Sequence, residues 1–223
     1  MKIIARIHTD FPTKFGIPRQ SGIIEELQGT VVFEPEYRNA DALRGLEKYS
    51  HIWLIWQFSE NLNRGWKPTV RPPKLGGNAR KGVFATRSPF RPNPIGLSSV
   101  RLKGIEYNSK SGPVLHISGA DLMDNTPIYD IKPYLPLIDC HPEAAGGFTE
   151  SIDYTPLQVN IPEKISSRLP QECSQALIKI LEQDPRPAYQ EDPDRIYGLP
   201  FRQYDIRFKV ANGILTVCEI IKI

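Results

Sequence analysis

The stretch Asp121–Pro136 (DLMDNTPIYDIKPYLP) brings a carboxylate, an ammonium and a phenol together at Asp130, Lys132 and Tyr134. A period of two puts all three on one side of an extended segment. There they would make an acid–base site, or a surface ion pair with no chemistry to perform. Just ahead of them, Asp124-Asn125-Thr126-Pro127 has the composition of a tight turn, because short polar side chains bond their own backbone. A second cluster, Thr86–Gly96 (TRSPFRPNPIG), packs three prolines into six residues. Such stiffness lets Arg87, Arg91 and Asn93 lose little freedom on binding a partner. A third, Gly16-Ile17-Pro18-Arg19-Gln20, sets a fork-shaped guanidinium suited to a carboxylate beside an amide. A plain turn with a surface arginine also accounts for it.

Charge says what such clusters would meet. The net charge is only +3, but ten of the 28 basic residues fall between Asn61 and Gly104 with no Asp or Glu among them. They are Arg64, Lys67, Arg71, Lys74, Arg80, Lys81, Arg87, Arg91, Arg101 and Lys103; the rest of the chain sets 18 basic against all 25 acidic residues. Segregated positive charge fits a polyphosphate surface, although a solvated basic loop would have the same composition. The three cysteines, Cys140, Cys173 and Cys218, are scattered and form no C-x-x-C pair, which fits free thiols in a reducing compartment. Cys140-His141 could be half of a metal site, but His8, His51 and His116 lie far apart in sequence, and no metal is expected. No apolar run approaches membrane-spanning length and the N-terminal one is too short for a signal peptide, so a cytoplasmic protein is expected.

The elements that must position these clusters are mostly short strands. Ile3–His8, Gly29–Phe33, Gly82–Thr86, Gly96–Leu102, Val114–Ser118 and Ile128–Ile131 are expected as strands between Gly, Pro and Asn punctuation. Ile52–Phe58 is nearly all apolar and suits a buried strand or a piece of helix. Ala40–Tyr49 is expected as a helix, with Asn39 as N-cap and Ala42, Leu43 and Leu46 on one face. Many short strands at near-regular spacing favour a closed or nearly closed β-barrel. No strand–G-x-G-x-x-G–helix unit exists, and Gly76-Gly77 is a bare pair, so a Rossmann-type domain is not expected. Past residue 142 the texture changes. Pro170 opens a helix with Cys173, Ala176, Leu177, Ile180 and Leu181 on one stripe, ending at Asp184-Pro185. Tyr204–Val210 and Ile214–Ile220 then flank Asn212-Gly213, a type I′ hairpin signal. The expected fold is mainly β: a barrel domain over residues 1–142 and a small α+β domain over 143–223.

At these clusters the chain resembles a known family. Pro18-Arg19-Gln20, Gly45-Leu46, Ser50-His51-Ile52-Trp53, the run from Gly65 through Gly96, Asp124–Pro136 and Gln183–Tyr189 look like the TrmO, or TsaA-like, tRNA methyltransferases. The resemblance covers nearly the whole chain. It implies a single-sheet β-barrel, a homodimer, S-adenosylmethionine as cofactor, and methylation of N6 of N6-threonylcarbamoyladenosine beside the anticodon of threonine tRNA. By matching positions it implies cofactor contacts at Pro18, Arg19, Gln20, Ser59, Glu60, Arg87, Leu97, Asp124, Asn125, Thr126 and Pro127. Ser59-Glu60 stands where some members carry a His and a Gln. Asn125 replaces a common Gly and tolerates the same left-handed backbone.

Within that reading the residues take roles. Threonylcarbamoylation makes the adenine N6–H urea-like and more acidic, so a carboxylate, Asp124 or Asp130, would take its proton while Lys132 or Tyr134 orients the base. Arg64, Lys67, Arg71, Lys74, Arg80 and Arg91 would neutralise anticodon-stem phosphates. Trp66 would stack on an unpaired base or pack over Pro68 or Pro72. Two rivals keep the same residues: a non-catalytic S-adenosylmethionine-binding RNA chaperone or sensor, and a hydrolase built on Asp124, Asp130 and Lys132.

Overall fold

The computed structural model describes every residue except 76–78, 168 and 187–191, together with the side chains at 74, 171 and 172. The Gly76-Gly77 pair, the Lys74 side chain and the segment Pro187–Tyr189 therefore lie outside the described residues.

Strands β1 (Ala5–Thr9), β2 (Gln28–Phe33), β3 (His51–Gln57), β4 (Thr69–Val70), β5 (Lys81–Gly82), β6 (Ile95–Glu106), β7 (Val114–Ser118) and β8 (Thr126–Pro133) come first. Six of them close a barrel in the order β1-β2-β7-β6-β3-β8, and β8 pairs back to β1 through Ile7↔Thr126 and Ala5↔Ile128. Every ladder in the barrel is antiparallel, and closure removes the edges an open sheet would expose. Strand β3 shows why the sheet closes: Ile52, Leu54 and Trp56 are buried while His51, Trp53, Ile55 and Gln57 alternate outward. Each buried aliphatic of that set contributes roughly 1.5–3 kcal/mol by leaving water. The apolar run that suits helix or strand is thus a strand, because only a period of two puts half of it in the barrel.

Two local expectations are corrected. Ala40–Tyr49 is not one helix but two 3-10 turns, Ala40–Leu43 and Leu46–Lys48, on either side of Gly45 at φ 91°. A left-handed glycine breaks the helical path, although Asn39 does cap the first turn by accepting the Asp41 N–H. In Gly82–Thr86 only the first residue pairs, as the end of β5; Val83–Ala85 is a 3-10 turn closed by Thr86 Oγ1 donating to the Val83 carbonyl at 2.9 Å. A hydroxyl that bonds its neighbour's backbone competes with the ladder.

Helix α1 (Pro136–Asp139) leaves the barrel, followed by β9 (Gln158–Asn160), α2 (Glu163–Ser166), α3 (Gln171–Glu182), β10 (Tyr197–Phe201), β11 (Tyr204–Ala211) and β12 (Ile214–Lys222). The sheet order is β10-β11-β12-β9, with β9 parallel to β12. The α3 stripe is buried against this sheet as expected, and Asn212 (φ 52°) and Gly213 (φ 75°) make the hairpin turn. β10 escaped the sequence reading because Pro200 lies inside it, which the sheet tolerates because β10 is an edge strand.

The packing crosses the expected 142/143 division. Phe11, Ile24 and Leu27, from the segment between β1 and β2, are buried in the core formed by α3 and the C-terminal sheet, with Phe15 and Ile17 against it. Phe11 meets Phe201 at 5.8 Å between ring centres, and Arg202 Nε bridges to Asp10 Oδ2 at 2.9 Å. That segment also carries Pro18-Arg19-Gln20.

Candidate active site

A cleft of about 490 Å³ opens where β3 ends and β6 and β8 begin. The segment after β1 contributes Pro18, Arg19 and Gln20, and the 3-10 turn after β3 contributes Ser59 and Glu60. Arg87, Leu97 and Thr126 complete the expected cofactor contacts that line it, and Arg91, expected on the RNA surface, lines it too.

Its floor is a relay. Trp56 pairs with Gly96, and a Cβ on Gly96 would lie 2.2 Å from the indole ring, so only glycine lets the ring lie there. The indole Nε1 donates to Ser98 Oγ at 2.9 Å, and Ser98 Oγ donates to Asp121 Oδ1 at 2.6 Å. Burial pushes the Asp121 carboxyl up from its ordinary range, while the Ser98 hydroxyl, nearby backbone groups and the Arg87 charge pull the other way. Phe58 packs edge-on against Trp56 at 4.3 Å between ring centres, making one wall apolar.

The proline-rich loop is braced from within. Arg91 Nη1 donates to the carbonyls of Val83 (3.1 Å) and Thr86 (2.6 Å), and its guanidinium stands 5.6 Å from the Phe84 ring. Arg91 therefore shapes the loop, where the sequence suggested a phosphate contact. Arg87 reaches across the cleft and donates to Gln20 Oε1, tying the loop to the segment after β1.

Of the turn Asp124–Pro127, only Thr126 lines the cleft. Asn125 has φ 62°, the left-handed backbone its type allows. Asp124 faces β1: its Oδ1 accepts the Thr9 N–H at 3.0 Å and lies 3.2 Å from His8 Nδ1. Asp130 and Lys132 share an ion pair of 3.2 Å between half-exposed side chains on the outer barrel face. Tyr134 packs there against Trp53, 5.5 Å between ring centres, and His51, 6.2 Å. Trp53 alone of this group reaches the cleft wall, with its Nε1 donating to Asp139 Oδ2 at 2.9 Å. Asp139 also accepts the Leu135 N–H, and the two donors hold its carboxyl below the usual range.

The basic stretch is tied to the same loop by Lys67 N–H to the Phe90 carbonyl (3.1 Å) and Val83 N–H to Pro68 (3.0 Å). Arg64, Arg71 and Arg80 are exposed, and Trp66 is 54% exposed. Lys67 Nζ stands 4.9 Å over the Phe90 ring and Arg80 Nη1 donates to Thr69 Oγ1 at 3.2 Å. In the C-terminal region Arg186, Arg202 and Arg207 bridge Asp184, Asp10 and Asp205.

The sequence reading gave Trp56, Ser98 and Asp121 no role. One signal was present: Gly96, Ser98 and Val100 share the inward side of β6, and a hydroxyl at an inward position needs a partner.

Comparison with known proteins agrees with this architecture. Residues 6–140 match the family model for the tRNA-methyltransferase O N-terminal domain, and residues 153–223 match that for the TrmO C-terminal domain. The chain is 39% identical over 219 residues to a tRNA (adenine(37)-N6)-methyltransferase of Escherichia coli, covering 94% of this chain and 92% of that protein. It is 45% identical over 170 residues to the enzyme of the same name from Eikenella corrodens, covering 76% and 95%. A crystal structure of TrmO from Pseudomonas aeruginosa superposes with a TM-score of 0.78 at 33% identity, covering 98% of this chain and 94% of that one.

Proposed function

The chain belongs to the tRNA-methyltransferase O (TrmO) family, and from that premise we propose that it uses S-adenosylmethionine to methylate N6 of adenosine 37 in tRNA. We further assign the acceptor as N6-threonylcarbamoyladenosine in threonine tRNA. What carries the reading is the cleft: an apolar wall, three arginines and a half-buried carboxylate meet at one barrel end, beside the exposed basic stretch.

The residues present fit the cofactor. Trp56, Phe58 and Met123 offer apolar surface for an adenine, Arg19 and Arg87 offer guanidinium forks for a carboxylate, and Glu60 offers an acceptor for a ribose diol or an ammonium. The cofactor supplies an electrophilic methyl on a sulfonium. Leu97 and Thr126 close the wall, while Asp124, Asn125 and Pro127 fix Thr126 by anchoring the turn: Asn125 N–H donates to Ile7 O at 2.8 Å and Asp124 N–H to Phe11 O at 2.8 Å.

The acceptor needs positioning and the loss of one proton. A urea-like N6–H is acidic enough for a carboxylate to take its proton as the new N–C bond forms. Asp130, Lys132 and Tyr134 stand around Trp53 beside the cleft, where they orient the modified base. Arg64, Lys67, Arg71 and Arg80, with Lys74, neutralise anticodon-stem phosphates, and exposed Trp66 stacks on an unpaired base. Leu97 (54% exposed), Leu137 (97%) and Ile138 (67%) are apolar surface suited to a second copy, and the working form is a homodimer. Among the described residues no helix is long and apolar enough to cross a membrane, which accords with work in the cytoplasm.

Nucleoside analysis of tRNA incubated with the protein and S-adenosylmethionine tests the reading. One methyl added to threonylcarbamoyladenosine supports it. Tight cofactor and tRNA binding with unchanged nucleosides would make the protein a sensor instead.

A further inference from the structure

The cleft wall holds two carboxylates, Asp121 and Glu60, and they differ in setting. Glu60 is exposed to solvent at the mouth of the cleft. Asp121 lies deeper, at the end of the relay from Trp56 through Ser98. The direction of that relay follows from chemistry. An indole N–H can only donate, so Ser98 Oγ must accept from Trp56 and spend its own hydrogen on Asp121 Oδ1. The hydroxyl therefore cannot turn away, and Asp121 always receives. A carboxylate offers about four lone-pair sites. Ser98 and the backbone of Asp121 and Ser21 draw on its acceptor capacity without exhausting it. The other aspartates of the region are otherwise engaged, Asp124 with Thr9 and His8, Asp130 with Lys132 and Asp139 with Trp53 and Leu135, and none of the three lines the cleft.

Resting on the methyltransferase reading above, we propose that Asp121, held by the Trp56–Ser98 relay on the cleft floor, is the catalytic carboxylate that accepts the N6 proton during methyl transfer. The N6–H bond breaks with its electron pair left on nitrogen, and the proton passes to an Asp121 oxygen. Nitrogen forms its bond to the methyl carbon, while the S–C bond breaks with its pair on sulfur, converting the sulfonium to a thioether. Asp121 gives the proton to water once the product leaves. Burial raises the proton affinity of this carboxyl, as a base working near neutral pH requires. Ser98 and Trp56 are positioning residues: they fix the acceptor and restrain that rise.

The test uses full-length protein with Asp121→Asn and Ser98→Ala, modified threonine tRNA and S-adenosylmethionine. Thermal melts check folding of each variant. Asp121→Asn is expected to lower kcat by roughly 10²–10³ while the Kd for S-adenosylmethionine stays within about threefold. Ser98→Ala, which removes a donor to the carboxylate, is expected to move the acidic limb of the kcat–pH profile upward and to recover most of its rate at higher pH. A merely structural serine would not move that limb. Asp121→Asn with kcat within about threefold of wild type overturns the assignment, as does a loss of cofactor affinity that matches the loss of rate. An unmoved limb in Ser98→Ala overturns the relay. A wild-type protein that binds cofactor yet methylates no tRNA overturns the underlying reading, whereas an active wild type beside an equally active Asp121→Asn overturns Asp121 alone.

Discussion

A Cβ on Gly16 would lie 2.1 Å from Cδ1 of Leu199, so the segment that presents Pro18, Arg19 and Gln20 to the cleft is seated directly on a buried leucine of the C-terminal sheet. Gly16 also has φ 84°, a backbone that side chains adopt only under strain of roughly 1–2 kcal/mol. The C-terminal sheet thus supports one wall of the cleft although none of its strands lines it. Gly16→Ala should fold, because the rest of that core is unchanged, yet bind S-adenosylmethionine about tenfold more weakly. Calorimetric titration reads this, and unaltered affinity would separate the C-terminal core from the site.

Much of this architecture was legible in the residues. The barrel announced itself because strands such as β3 alternate inward and outward, and the terminal hairpin because Asn212-Gly213 suits two positive φ angles. The contacts between distant parts were not legible. Nothing local in Phe11 or Ile24 says that they pack under α3 and β11 rather than in the barrel whose strands flank them. Arg91 shows the same limit within the site. Its composition matches a phosphate contact, and only the loop's path reveals two backbone carbonyls waiting for it. Asp121 was visible only as the head of a turn-rich cluster, since its importance depends on Ser98 and Trp56 facing it across the barrel.

The Asp121 carboxyl should mark the stability of the protein as well as its rate. Asp121 has a raised pKa in the folded state, so the native protein holds that proton where the unfolded chain, at about 3.9, has released it. The stability this contributes is whole below the unfolded value and is lost as pH rises through the folded one. Asp121→Asn carries no charge there. Its melting temperature should therefore gain on wild type as pH is raised from about 4, then run parallel above the native pKa. Thermal melts over a pH series check this, and a gap independent of pH would contradict it.

Arg71 and Arg91 should separate cleanly. Arg71 is exposed, whereas Arg91 braces the loop from Val83 to Thr86. Arg71→Ala should weaken tRNA binding and reduce the slope of log K against log salt by about 0.7–0.9. Arg91→Ala should leave that slope nearly unchanged and instead lower the melting temperature and cofactor affinity, since two backbone carbonyls lose their donor. Salt titrations of binding, run beside melts, distinguish the two, and equal slope changes would return Arg91 to the phosphate surface.

Transfer of labelled methyl from S-adenosylmethionine to two threonine tRNAs, one carrying N6-threonylcarbamoyladenosine and one unmodified, tests the assigned reaction most directly. Methyl on the modified tRNA alone is the predicted result, because only there is N6–H acidic enough to be given up to a carboxylate. Equal transfer to both would contradict the acceptor, and no transfer to either with cofactor binding intact would contradict the reaction itself.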